Sequence, residues 1–228
     1  MAVSKTYPAA ILAEAAALGL TLFGENRVQE FAAKAPEIAA LRQGACAEGN
    51  QPEAAPVHPF AGPIRVHLIG HLQSNKAVRA VELFDAVDSV DSVRLAERLN
   101  DAAGKCAKRL PVLIEVKLSP EETKAGLDPK SAEAAQLLER LPDLVHLDLR
   151  GLMTIAPFGV PEAETRACFR SLREWRDRWA AAYPRLTLGV LSMGMSGDFQ
   201  LAIEEGATRI RVGTALFGAR QPIGAGQG

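Results

Sequence analysis

Short apolar runs rich in Val, Ile and Leu recur to the end of this chain, and each gives way to a stretch with helical spacing. That alternation constrains the fold more than any other feature. Strands separated by helical patterns pair in parallel through right-handed crossovers. The sequence predicts strands at Ala2–Ser4, Leu20–Phe23, Arg65–Ile69, Ala86–Val90, Val112–Val116, Asp148–Thr154, Leu186–Leu191 and Arg209–Val212. It predicts helices near Ala9–Leu18, Val28–Leu41, Lys76–Leu83, Val93–Ala103, Ser131–Leu141, Glu162–Tyr183 and Asp198–Glu205. Eight strands in 228 residues fit one α/β domain, a (β/α)8 TIM barrel over residues 1–228. An open doubly wound sheet is the alternative that periodicity leaves standing.

Local signals agree with the helices. Pro8 suits a first-turn position, where its missing N–H costs nothing. Phe169, Leu172, Trp175 and Trp179 recur at three- and four-residue steps, an apolar stripe for packing against the barrel. The arginines from Arg166 to Arg178 alternate with acids, as on a solvated outer face. One segment, Gln43–Gly62, has no periodicity and is full of Gly, Pro and Ala. It reads as a loop insertion on the barrel's bottom face, away from the chemistry.

Composition excludes several classes. A formal net charge of −1 gives no global field for nucleic acid or an anionic membrane. No apolar run approaches the ~20 residues of a membrane span. Cys46, Cys106 and Cys168 are scattered, which fits a reducing cytoplasm and neither a disulfide framework nor a zinc knuckle. His67 and His71 straddle a strand end with no third ligand evident, so no metal is expected.

In a barrel the functional face is made by residues that follow the strands. Here they are Lys5 and Thr6, the Gly24–Asn26 turn, Gly70 to Asn75, Asp91, Lys117, Ile155 to Pro157, Ser192 to Ser196, and Gly213 with Thr214. Amines, amides, hydroxyls and glycines dominate, with no carboxylate pair. "SMGMSGD" and "RVGTALFG" each run from a strand into a helix, where glycines let backbone N–H groups approach an anion. Two such cups in adjacent loops predict a phosphate site. Arg211 shares strand parity with Gly213, so it points into the barrel mouth beside them. A buried arginine needs an acceptor: a carboxylate within the protein, or a heterocycle nitrogen on a ligand. Lys5 reaches the same mouth from strand one, and burial near Arg211 would favour its neutral, nucleophilic form. An amine beside a phosphate cup suits an aldehyde phosphate, of which pyridoxal 5′-phosphate (PLP) is the obvious case and a sugar phosphate the alternative. Asn26 and His71 are candidate polar contacts, with helix capping the competing role for Asn26. Lys124 reads as a solvated loop lysine.

The segments "AVSKTYP", "LFGENRVQE", "HLIGHLQSNK", "FDAVDSVDS", "ETKAGL", "LRGLMTIAP" and "LSMGMSGDFQLAIEEGATRIRVGTALFGAR" occur in order over nearly the whole chain. With them the sequence resembles the pyridoxal phosphate homeostasis (YggS/PROSC) family, whose barrel is similar to the N-terminal domain of alanine racemase. The resemblance implies a fold-type III PLP-binding barrel in which Lys5 carries the cofactor as a Schiff base. It implies that Ser196, Gly213 and Thr214 hold the phosphate, with Ser192 and Met193 in the same loop, and that Arg211 faces the pyridine nitrogen. It implies a carrier or regulator of PLP, with PLP-dependent apo-enzymes as partners and no established catalytic activity; the cysteines place it in the cytoplasm, and the lack of an obvious partner-facing apolar stripe predicts a monomer. The alternative is a racemase-like enzyme with Lys5 as sole base. Relatives begin with an extra helix and a longer first strand, so strand one reads as truncated: either the true start lies upstream, the favoured reading, or the barrel has a weak seam beside Lys5.

Overall fold

A computed structural model describes residues 1–47, 63–119 and 125–218. Eight parallel strands form one sheet in chain order: β1 (Ala2–Val3), β2 (Leu22–Glu25), β3 (Arg65–Leu68), β4 (Ala86–Val90), β5 (Leu110–Glu115), β6 (Leu147–Met153), β7 (Val190–Met195) and β8 (Arg209–Arg211). The helices between and after them are α1 (Ala9–Ala17), α2 (Val28–Ala47), α3 (Ala77–Leu83), α4 (Val93–Lys105), α5 (Ala132–Arg140), α6 (Glu162–Ala182), α7 (Phe199–Glu204) and α8 (Thr214–Phe217). The TIM barrel is therefore the fold, and the open sheet is not.

Strand one is as short as the sequence implied, yet its seam closes. Ala2 pairs with Phe23 on one side and bridges Val212 on the other, and the Val3 N–H donates to Val212 O at 2.8 Å. The Met1 amine donates to Ile210 O at 3.0 Å. Short strands serve here because both neighbours satisfy the backbone groups of each residue.

Phe23, Phe31, Phe84 and Phe169 are fully buried between sheet and helices, and Phe31 and Phe84 stack at 4.8 Å. Each such side chain contributes about 1.5–3 kcal/mol. In α6, Phe169, Leu172 and Trp179 are buried as the stripe predicted, while Trp175 is only partly so. The arginine face is not simply solvated: Arg170 and Arg173 grip Glu205 at the end of α7, at 3.0 and 3.7 Å. The loop expected from Gln43 starts later, because α2 carries the chain on through Ala47. The rest of the predicted insertion, to Gly62, lies outside the described residues, as does Lys124.

Inside the barrel the filling is partly ionic. Asp88 on β4 is 1% exposed and holds His67 of β3 at 3.0 Å and Arg209 of β8 at 2.9 Å. One buried carboxylate thus ties two strands of the wall to its own. Two residues further along β8, Arg211 begins the functional layer.

Candidate ligand-binding site at the barrel mouth

A cavity of about 710 Å³ opens at the C-terminal ends of the strands. Its wall includes Lys5, Asn26, His71, Ser196, Arg211, Gly213 and Thr214, so seven of the sequence-predicted residues meet in one place. Ser192 and Met193 do not reach it. The predicted strand Leu186–Leu191 is displaced toward the C-terminus, so both residues lie inside β7, fully buried.

Ser196 and the backbone after β8 build one end of the cavity. The Ser196 hydroxyl oxygen accepts from the N–H of Gly213 at 3.2 Å and of Ala215 at 3.3 Å. Two N–H groups converging on one oxygen mark a place where an anionic oxygen is well received. Gly197 beside them has open space where a Cβ would stand. Asp198, also in the wall, is held back by the Met195 N–H on its Oδ1 at 2.5 Å.

Arg211 is 4% exposed, and its acceptors within the protein are not the carboxylate foreseen. Its Nη1 donates to Ser192 O at 2.7 Å and Ser192 Oγ at 2.9 Å, and its Nη2 to Thr154 O at 2.8 Å. The planar guanidinium thus bridges β6 and β7 from β8. Ser192 belongs to the site as the support of Arg211 and not as a lining residue.

Lys5, half-buried in the wall, is flanked by residues that are tied down. Ser4 Oγ donates to Glu25 Oε1 at 2.7 Å, and Lys34 Nζ donates to Ser4 O at 3.2 Å and to Glu25 Oε1 at 3.0 Å. Lys34 also donates to Glu30 Oε1 at 3.1 Å, and the same carboxylate accepts the Thr6 N–H. Thr6 has φ +69°, a strained conformation for a β-branched residue. A clamp from β2 and α2 therefore fixes the backbone on both sides of the lysine.

Burial pushes the Glu30 pKa up, but the Thr6 N–H and Lys34 outweigh it and hold it below the usual range. A depressed carboxylate adds stability above its unfolded pKa and loses it as pH falls through the folded value. Glu30→Gln is expected to cost up to about 1 kcal/mol at pH 7, because Glu30 is only partly buried and solvent screens its interactions. Urea unfolding at pH 7 and below pH 4 checks this: the difference between variant and parent should shrink in acid.

Glu115 escaped the sequence reading. It is 5% exposed at the end of β5, yet it stands in the cavity wall, and its Oε2 has no hydrogen-bond partner among the described residues. Burial, with the Asp91 carboxylate adding to it and Arg211 opposing, raises its pKa to about 7. Its one sequence signal was parity with Lys117, the next residue on that side of the strand, also in the wall. His71 is pinned by Asp91 at 3.1 Å, and a Cβ on Gly70 would stand 2.3 Å from Asn26 O, so that glycine lets the two loops touch.

A family model described as alanine racemase, N-terminal domain, matches residues 1–221. The pyridoxal phosphate homeostasis protein of Vibrio alginolyticus is 40% identical over 222 residues, 96% of this chain and 85% of its own. That of Escherichia coli K12 is 38% identical over 221 residues, with the same coverage. Among solved structures, PipY of Synechococcus elongatus with PLP bound superposes with a TM-score of 0.79 at 44% identity, covering 96% of this chain and 91% of PipY. Alanine racemase of Clostridium difficile shares the fold, with a TM-score of 0.70 at 16% identity over 52% of its length. No described helix is long and apolar enough to cross a membrane.

Proposed function

Because the chain belongs to the pyridoxal phosphate homeostasis family, built on the alanine racemase N-terminal barrel, we propose that it binds PLP and serves its homeostasis as a carrier, with Lys5 as the covalent anchor. The observation that carries this reading is one cavity joining the Ser196 cup, the buried Arg211 and the lysine. A volume of about 710 Å³ suits a ligand of that size.

The residues present fit the cofactor. Ser196 with the N–H groups of Gly213 and Ala215 would receive the phosphate ester, assisted by Thr214. Arg211 offers a fixed positive charge near the ring, which disfavours protonation of a pyridine nitrogen facing it. Asn26 and His71 would border the ring from the β2 and β3 loops. When bound, PLP supplies an aldehyde that captures amines and a ring that withdraws electrons. With Arg211 opposing ring protonation, that withdrawal is weak, which favours storage over turnover of amino acids.

We place this role in the cytoplasm, where an exposed thiol such as Cys106 stays reduced, with the barrel acting as a monomer that passes cofactor to PLP-dependent apo-enzymes. The test is direct. Purified protein is mixed with PLP, reduced with borohydride and mapped by peptide mass spectrometry. One phosphopyridoxyl group on Lys5, and no racemisation of L-alanine beyond that of free PLP, is the expected result. A label scattered over surface lysines would overturn the binding site, and sustained racemisation would make the protein an enzyme.

A further inference from the structure

Glu115 stands apart among the groups of the cavity wall. Arg211 spends donors on Ser192 and Thr154, His71 is bonded to Asp91, and Asp198 accepts from Met195. Glu115 Oε2, by contrast, is buried and has no hydrogen-bond partner among the described residues. No ion pair within 4.0 Å joins it to Arg211 among the described residues, although each feels the charge of the other. A carboxyl left in this condition is costly unless it is un-ionised and its proton finds an acceptor. The cavity that it lines is open to an acceptor.

The charged groups around it decide which form it takes. Asp91, from the loop after β4, repels a carboxylate at this position, and Arg211 from β8 attracts one. Lys5, Lys117, His71 and Asp198 complete the ionisable wall of the cavity. Burial outweighs the attraction, and Glu115 titrates at about 7. A ligand that brings a phosphate dianion adds more negative charge to the same cavity and favours the protonated acid further.

We propose that Glu115 is a ligand-contacting residue of this site: as a neutral carboxylic acid it donates a hydrogen bond to an anionic oxygen of the bound phosphorylated ring, so that ligand enters with a proton and leaves when the proton does. The proton comes from the buffer on binding and returns to it on release, and no bond of the ligand is broken. The inference rests on the PLP reading above and adds to it a pH-dependent grip on the phosphorylated ring: rising pH weakens the non-covalent part of the binding, so that ligand is lost once it is no longer bonded to Lys5.

The test uses pyridoxine 5′-phosphate, which has an alcohol in place of the aldehyde and so cannot bond Lys5. Its affinity is measured by calorimetry from pH 6.5 to 8.5 for the wild type, Glu115→Gln and Glu115→Ala. The wild type is expected to lose affinity by up to about tenfold per pH unit above 7, the slope for uptake of one proton. Glu115→Gln, a permanent donor, should show a flatter profile, while Glu115→Ala should bind more weakly at pH 6.5. Equal slopes in wild type and Glu115→Gln would overturn the proposal. Failure of the wild type to bind either this compound or PLP would instead overturn the functional reading beneath it. Infrared difference spectra of the wild type at pH 8 need no substitution: a protonated-carboxyl band gained on binding supports Glu115, and its absence rejects it.

Discussion

Lys5→Ala is expected to abolish borohydride-stable incorporation of PLP and to weaken PLP binding on the order of 100-fold, about 2.7 kcal/mol. Binding of pyridoxine 5′-phosphate should change by no more than about threefold, roughly 0.7 kcal/mol. The split follows from the layout. The phosphate cup belongs to the loops after β7 and β8, whereas Lys5 follows β1. The clamp that positions Lys5 consists of Ser4, Thr6, Glu25, Glu30 and Lys34, none of which the substitution touches. Equilibrium dialysis of both compounds, with mass analysis after reduction, reads the two quantities separately. Equal loss of both compounds would show that the lysine shapes the cavity instead of anchoring a ligand.

Arg211→Met should cost the most stability of any change in the site. Methionine has similar length but removes the donors to Ser192 Oγ and Thr154 O and leaves Ser192 O with the Thr154 N–H alone. It also removes the positive charge that restrains the Glu115 pKa, which should climb above about 7. Leaving buried acceptors short of a donor costs about 1–3 kcal/mol apiece. For a chain of this size the Tm should fall on the order of 10 °C. Arg211→Lys is expected to recover less than half, because one ammonium cannot reproduce a planar fork reaching two strands. Thermal unfolding of the three proteins decides it, and a lysine variant as stable as the parent would contradict the bridging role.

Much of this architecture is legible from periodicity. The eight apolar runs fall on or beside the eight strands, because a strand buried on both faces needs β-branched and apolar residues at nearly every position. Errors cluster where polar residues sit inside strands. Ser192 and Gly194 look like loop residues, so β7 reads as ending early and Ser192 is assigned to the cup when it is the support of Arg211. Gly194 is tolerated there because its φ of +91° and the Ala202 side chain, 2.6 Å from a built Cβ, leave room for nothing larger. Glu115 and Asp88 are hidden by the opposite effect, since a lone acid in an apolar run carries no mark of the charged groups that the fold brings around it. Lys34 is a third omission: α2 gives it the look of a surface lysine, and only the fold brings it under the Lys5 loop.

Lys5 and Arg211 face one cavity from the first and last strands, and the barrel closes by hydrogen bonds from Met1 and Val3 to β8 and the residue after it. During synthesis, then, Lys5 is made well before β8, and its pocket does not exist until the eighth strand has left the ribosome. A nascent chain cannot capture cofactor early. Ligand binding thereby favours the finished barrel alone, and a chain stalled before β8 gains none of the stabilisation that binding confers.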